Sequence, residues 1–256
     1  MIIGSHDSCT CKSKNECMCL CWEWAKTQNI TLKEQFELSV RLFDLRYKLN
    51  DIYYISHTLN TMYTLENALT ELVKCSIDAN EYIYIRLKRD SSSYPLPSFG
   101  YTLESIKIYG IPLSQYLVEY GTVDKTFKGG AIRRYMRKIP TSNRRIILYS
   151  DDNTLSEDNV PSAWFFPQLF DTVETWGCAT IDDAVSVIRD GHFKNNGLPK
   201  AIFVDFSSIY PPEIAFDYIW KRVKDAIINY IIRGDIDCIV LNHICHDVVQ
   251  IIKDVI

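Results

Sequence analysis

The chain has 256 residues, of which 47% are hydrophobic and 23% charged, with a formal net charge of −4. This is the composition of a folded globular protein and excludes disordered and fibrous classes. A mildly acidic chain without a long basic tract is not built to grip nucleic acid through a broad cationic face, so no nucleic-acid partner is expected.

Met1 is followed directly by Ile2, Ile3 and Gly4, which is not the basic-then-apolar opening of a secretory signal. The longest apolar runs are strand-length or interrupted by charge, so no transmembrane segment is expected. Both features predict a cytoplasmic protein. Five of the nine cysteines crowd together as Cys9, Cys11, Cys17, Cys19 and Cys21. Such pairs can ligate zinc. No second cluster and no interleaved histidine completes a four-ligand site, so reduced thiols are the favoured reading and no metal is expected.

Taken in chain order, short apolar runs alternate with helical patterns, the signature of βαβ units around a parallel sheet. Met1–Ile3 reads as a first strand. A helix follows over Leu32–Val40, with Thr31 as cap and Glu34 three residues on. Leu42–Leu45 and Ile52–Ile55 read as the second and third strands. Thr64–Cys75 is a helix with a threonine cap, and Tyr82–Leu87 the fourth strand.

Between Asp90 and Arg145 lies a long connection. Ser91–Ser93, Pro95, Pro97 and Gly100 form a loop, and a helical segment from Leu103 to Tyr120 is broken at Gly110 and Pro112. Four strands remain: Ile146–Tyr149, Thr172–Trp176, Ala201–Phe206 and Cys238–Leu241. Helices over Thr180–Ile188, Pro211–Ile232 and His246–Val255 accompany them. Eight strands with intervening helices predict one α/β domain over residues 1–256. The predicted fold is a (β/α)8 TIM-type barrel, irregular, with an enlarged connection between strands 4 and 5. An open doubly wound sheet is the alternative.

Polar residues gather at the strand ends, where a parallel barrel carries its active site. His6 and Asp7 follow the first strand. Asp44 and Arg46 close the second, two residues apart and so on one face. A carboxylate and a guanidinium aimed into a barrel are costly unless paired or used. His57 follows the third strand, and Arg86 and Lys88 share a face at the end of the fourth. Each taken alone fits a structural role. Together they supply a base and an acid for either side of a phosphorus atom, and a guanidinium for its oxygens.

The run Gly4-Ser5-His6-Asp7-Ser8, then Arg41-Leu42-Phe43-Asp44-Leu45-Arg46, His57 and Leu87-Lys88-Arg89-Asp90 resembles the X-domain of phosphatidylinositol-specific phospholipase C. The likeness is to the metal-independent bacterial enzymes, clearest over residues 1–90. It implies a phosphoric diester hydrolase or lyase of lipid metabolism, acting as a monomer on a phospholipid at a membrane surface. His6 would be the general base and His57 the general acid, with Asp7 orienting His57. Arg46 would bind phosphate with Asp44 in support, and Lys88 would reach the substrate from the rim. Arg46 stands where calcium-dependent members carry an acidic ligand, which implies no calcium and no other cofactor.

Downstream, Glu174 and Trp176 resemble an acid–aromatic pair that holds the inositol ring, or else form a strand end with a core tryptophan. The family's arginine after the fifth strand is replaced by Asp151. The aspartate that supports the first histidine has Asn242 at the matching position, with Asp205 as an alternative partner. Tyr94–Phe99 and Trp164–Phe166 fall in loops at the mouth, where aromatics can enter a headgroup layer. Packing against the barrel is the favoured fate of Trp164. Two other readings are a metal-dependent phosphodiesterase on the same barrel and a catalytically silent lipid- or inositol-phosphate-binding module.

Overall fold

A computed structural model describes residues 1–6, 8, 28, 30–57, 60–90, 94–120, 140–175, 178–204, 212–242 and 244–256, with backbone alone at 57, 60–62 and 212–216. The cysteine cluster from Cys9 to Cys21 lies outside the described residues.

The elements in the first half are β1 (Ile2–Ser5), α1 (Leu32–Glu37), β2 (Val40–Leu49), β3 (Tyr53–His57), β4 (Asn60–Thr64), α2 (Leu65–Ala79) and β5 (Ile83–Arg89). The enlarged connection holds α3 (Phe99–Ser105), β6 (Lys107–Ile108) and β7 (Ile111–Pro112). Then come β8 (Ile146–Ser150), α4 (Thr154–Glu157), β9 (Phe166–Pro167), β10 (Asp171–Glu174), α5 (Ile181–Asp190), β11 (Lys200–Val204), α6 (Pro212–Arg233), β12 (Cys238–Leu241) and α7 (His246–Lys253).

Eight parallel strands curl into a barrel-like sheet in the order β10-β11-β12-β1-β2-β5-β8-β9. Among the described residues β9 and β10 do not pair, so the barrel has a seam there. This is the irregular (β/α)8 architecture that the alternation of elements predicts.

The third strand is a correction. Tyr53–His57 runs antiparallel to β2, with Tyr47 opposite Ile55, and continues into a second hairpin with β4. The link from Leu49 to Tyr53 is too short for a parallel crossover, which needs a dozen or so residues, whereas a hairpin closes readily. The missing barrel strand is Phe166–Pro167, two residues paired with Tyr149 and Ser150. The enlarged connection therefore joins the third and fourth barrel strands.

Period-2 alternation divides the strand residues between two cores. Ile2, Leu42, Tyr84, Ile147, Tyr149, Phe166, Ala201, Phe203, Cys238 and Val240 fill the barrel interior. Ile3, Phe43, Leu45, Ile85, Leu148, Ile202, Val204 and Ile239 face outward against the helices. Gly4 occupies an inner position, where a Cβ would stand 2.9 Å from Val240 Cγ2 and 3.1 Å from Leu42 Cβ. The absent side chain lets β1 lie close to its neighbours and sets the height of His6 two residues on.

Local signals explain several helix ends. Thr31 and Glu34 form a reciprocal capping box, as do Thr180 and Asp183, and Thr64 accepts from the Asn67 amide. Helix α1 stops at Glu37, short of the expected Val40, because Ser39 at φ 75° turns the chain and Val40 opens β2. The segment expected as a broken helix over Leu103–Tyr120 is instead α3 and a tight hairpin. Tyr109 (φ 53°) and Gly110 (φ 77°) form its turn, the pair of left-handed residues that two-residue hairpin loops require.

Candidate active site

The inner face of the barrel becomes polar at the carboxyl ends of its strands. The alternation that puts Ile2 and Gly4 inside carries His6 to the mouth. In the same way Leu42 leads to Asp44 and Arg46, and Tyr84 to Arg86 and Lys88. In register, Asp44 lies beside Arg86, and Arg46 beside Lys88.

His6 and Asp44 are fully buried, and Arg46 is half-buried. The imidazole Nε2 lies 3.2 Å from an Arg46 guanidinium nitrogen (Nη2) and 3.3 Å from Asp44 Oδ2. Gln28, also buried, fixes the backbone there. Its amide donates to the carbonyls of His6 (2.9 Å) and Leu241 (3.1 Å), and its oxygen accepts from the Ile244 amide (2.9 Å). This joins the ends of β1 and β12. Asn242 is buried at the end of β12, next to His6 across the strand pair.

A second cluster stands beside the first. Arg86, 2% exposed, reaches Asp44 Oδ2 at 3.4 Å, Asp151 Oδ2 at 2.5 Å and Glu174 Oε1 at 3.6 Å. Its Cζ sits 4.7 Å from the Phe203 ring centre. Lys88 pairs with Asp151 at 2.7 Å and with Asp152 at 3.5 Å. Burial alone would draw the Arg86 guanidinium down, but Asp44, Asp151 and Glu174 outweigh it and hold it well above its ordinary value. Burial pushes Asp151 up; Arg86 and Lys88 reverse this and keep it below the usual carboxylate range. A depressed carboxyl contributes stability above its unfolded pKa that is lost as pH falls through the folded value. The melting-temperature gap between wild type and Asp151→Asn should thus be widest above about pH 4.5 and narrow as the solution is acidified.

Of the expected site residues, the fold gathers His6, Asp44, Arg46, Lys88 and Glu174 on this face, with Asn242 beside His6. Asp7, Trp176 and Asp205 lie outside the described residues. His57 is described by its backbone alone. It ends β3, opposite Asn60, on the arm that returns along β2. That arm is tied to β5 one residue earlier, where buried Ser56 donates to Asp90 Oδ2 at 2.7 Å. Lys88 was the expected anion contact, yet Arg86, one inner position deeper, makes the larger set of pairs. Among the described residues, no group of three or more His, Cys, Asp or Glu is arranged to hold a metal ion. A separate cavity of about 610 Å³, lined by Leu49, Ile52, Thr64, Asn67 and Ser105 among others, contains none of the strand-end residues described above.

The sequence matches no family model and no curated protein. The structure matches that of the phosphatidylinositol-specific phospholipase C from Listeria monocytogenes, with a TM-score of 0.68 over 100% of this chain and 92% of that one, at 17% identity. The fold is that of the bacterial phosphatidylinositol-specific phospholipases C. A double mutant of the Staphylococcus aureus phospholipase C gives a TM-score of 0.62 at 17% identity, covering 99% of this chain and 90% of that chain. Another S. aureus structure of this phospholipase, titled for modulation of its membrane binding, gives 0.61 at 16%, with 98% and 91% covered. Among the described residues no helix is long and apolar enough to cross a membrane.

Proposed function

We propose that the chain is a phospholipase C that cleaves phosphatidylinositol-type lipids without a metal. The observation that carries this reading is the contact of His6 Nε2 with the Arg46 guanidinium and Asp44, at the mouth of a barrel with this fold. At Nε2 a guanidinium that favours the neutral ring meets a carboxylate that favours the imidazolium, a setting suited to a nitrogen that takes up a proton and returns it.

His6 removes the proton from the inositol 2-hydroxyl. That oxygen attacks phosphorus, a cyclic phosphate forms, and the bond to the diacylglycerol oxygen breaks. His57, oriented by Asp7, gives that oxygen its proton. Arg46 neutralises the phosphoryl oxygens, and Asp44 supports the cluster through its contact with His6. Asn242 or Asp205 orients the far side of the His6 ring. Lys88, Glu174 and Trp176 contact the headgroup. Water then opens the cyclic phosphate with the two imidazoles in reversed roles. The guanidinium in the metal's place would repel a divalent cation. The enzyme works as a single-domain cytoplasmic monomer that visits a membrane surface. Tyr94, 88% exposed on the rim loop, is the residue best exposed for that contact, whereas Phe165 and Phe166 are buried and Trp164 packs against the core.

The test is cleavage of phosphatidylinositol vesicles in excess EDTA. Wild type should release water-soluble inositol phosphate, and Arg46→Met should lose about 10²–10³-fold in kcat. Activity only with added divalent metal would favour a metal-dependent phosphodiesterase. Vesicle binding without turnover would favour a silent module.

A further inference from the structure

We propose that Arg86 is a positioning residue for His6, sharing the Asp44 carboxylate with the imidazole and linking it to Asp151 and Glu174. This rests on the role of His6 as base. One oxygen, Asp44 Oδ2, serves both His6 Nε2 at 3.3 Å and Arg86 Nη1 at 3.4 Å. Arg86 is shut off from solvent, and among the described residues its charge is balanced by three carboxylates: Asp44 beside it on β2, Asp151 just past β8 and Glu174 at the end of β10. Asp44 and Arg46, both from β2, face His6 with their charged groups. Its other neighbouring strand, β12, places the uncharged Asn242 beside it.

The arrangement gives two opposite expectations. Asp44 favours the imidazolium, and Arg86 competes for Asp44. Without Arg86 the carboxylate belongs to His6, and the ring takes up its proton at higher pH. Without the Asp151 charge, Arg86 leans harder on Asp44, and the ring takes up its proton at lower pH. Arg86 therefore weakens the pull of Asp44 on the His6 proton, which favours the role of base. It also makes the ring sensitive to whatever engages Asp151 and Glu174 at the mouth, which would let a bound headgroup tune the base.

The experiment follows the His6 ring by NMR in ¹³C-histidine-labelled full-length protein, assigned by comparison with His6→Ala. The titration midpoint should rise by about one pH unit in Arg86→Met. It should fall by about half a unit in Asp151→Asn, which removes only a distant charge. Arg86→Lys keeps the charge and should stay near wild type. If Arg86→Met does not fold, Asp151→Asn decides the matter. Midpoints that do not move in Arg86→Met and Asp151→Asn, whichever fold, even with a lower melting temperature, would reduce Arg86 to a structural ion and overturn the proposal. The titration needs no turnover, so failure of wild type to cleave lipid would count against the proposed function and leave this test intact.

Discussion

His6→Ala is expected to lower the rate of phosphatidylinositol cleavage by about 10³-fold, the range for losing a positioned acid–base group. The fold should survive. Asp44 keeps Arg86 as its partner when the imidazole goes, so no buried carboxylate is left alone. The ring's backbone stays pinned by Gln28, which bonds main-chain carbonyls and not the side chain. Initial rates per folded molecule, with circular dichroism as the control, read the effect. Full activity in this variant would remove His6 from the mechanism.

Asp158→Ala is expected to destabilise the protein by about 3–5 kcal/mol, the range for breaking a buried, paired charge. Asp158 is fully buried and holds the rim together. It accepts from the Tyr47 hydroxyl at 2.5 Å, from Arg89 at 2.6 Å and from the Leu96 amide at 2.6 Å. Its own carbonyl accepts from Gly100 at 3.0 Å. Tyr47 also stacks on Phe99, with ring centres 3.7 Å apart. Burial and then the bond to Asp158 push the Tyr47 phenol far above its ordinary value, so it stays a donor. Alanine would leave a buried hydroxyl without its acceptor and unhook the loop that carries Tyr94. Urea denaturation measures the loss. A change below about 1 kcal/mol would show that the loop is held by apolar packing alone.

What could be read in the sequence was local. The threonine caps at Thr31, Thr64 and Thr180 mark helix starts because the side chain and the orphan amides it serves are three residues apart. Alternation along β2 and β5 set Asp44 with Arg46, and Arg86 with Lys88, on the barrel side. What could not be read depended on partners far along the chain. The run Ile52–Ile55 has the composition of a barrel strand, and only the short loop before it reveals a hairpin. Two residues, Phe166 and Pro167, carry too little pattern to announce a strand. The weight of Arg86 over Lys88 comes from Asp151 and Glu174 on other strands, and Gln28 matters because three separate backbone groups converge on it.

The measurement that bears most directly on the central claim is a ³¹P NMR time course of phosphatidylinositol vesicles with the wild-type protein in EDTA. The first product should be the five-membered cyclic inositol phosphate, with the acyclic monoester appearing only later, because the nucleophile is the substrate's own 2-hydroxyl. An acyclic monoester from the earliest time point, or no new phosphorus resonance without added metal, would contradict the account.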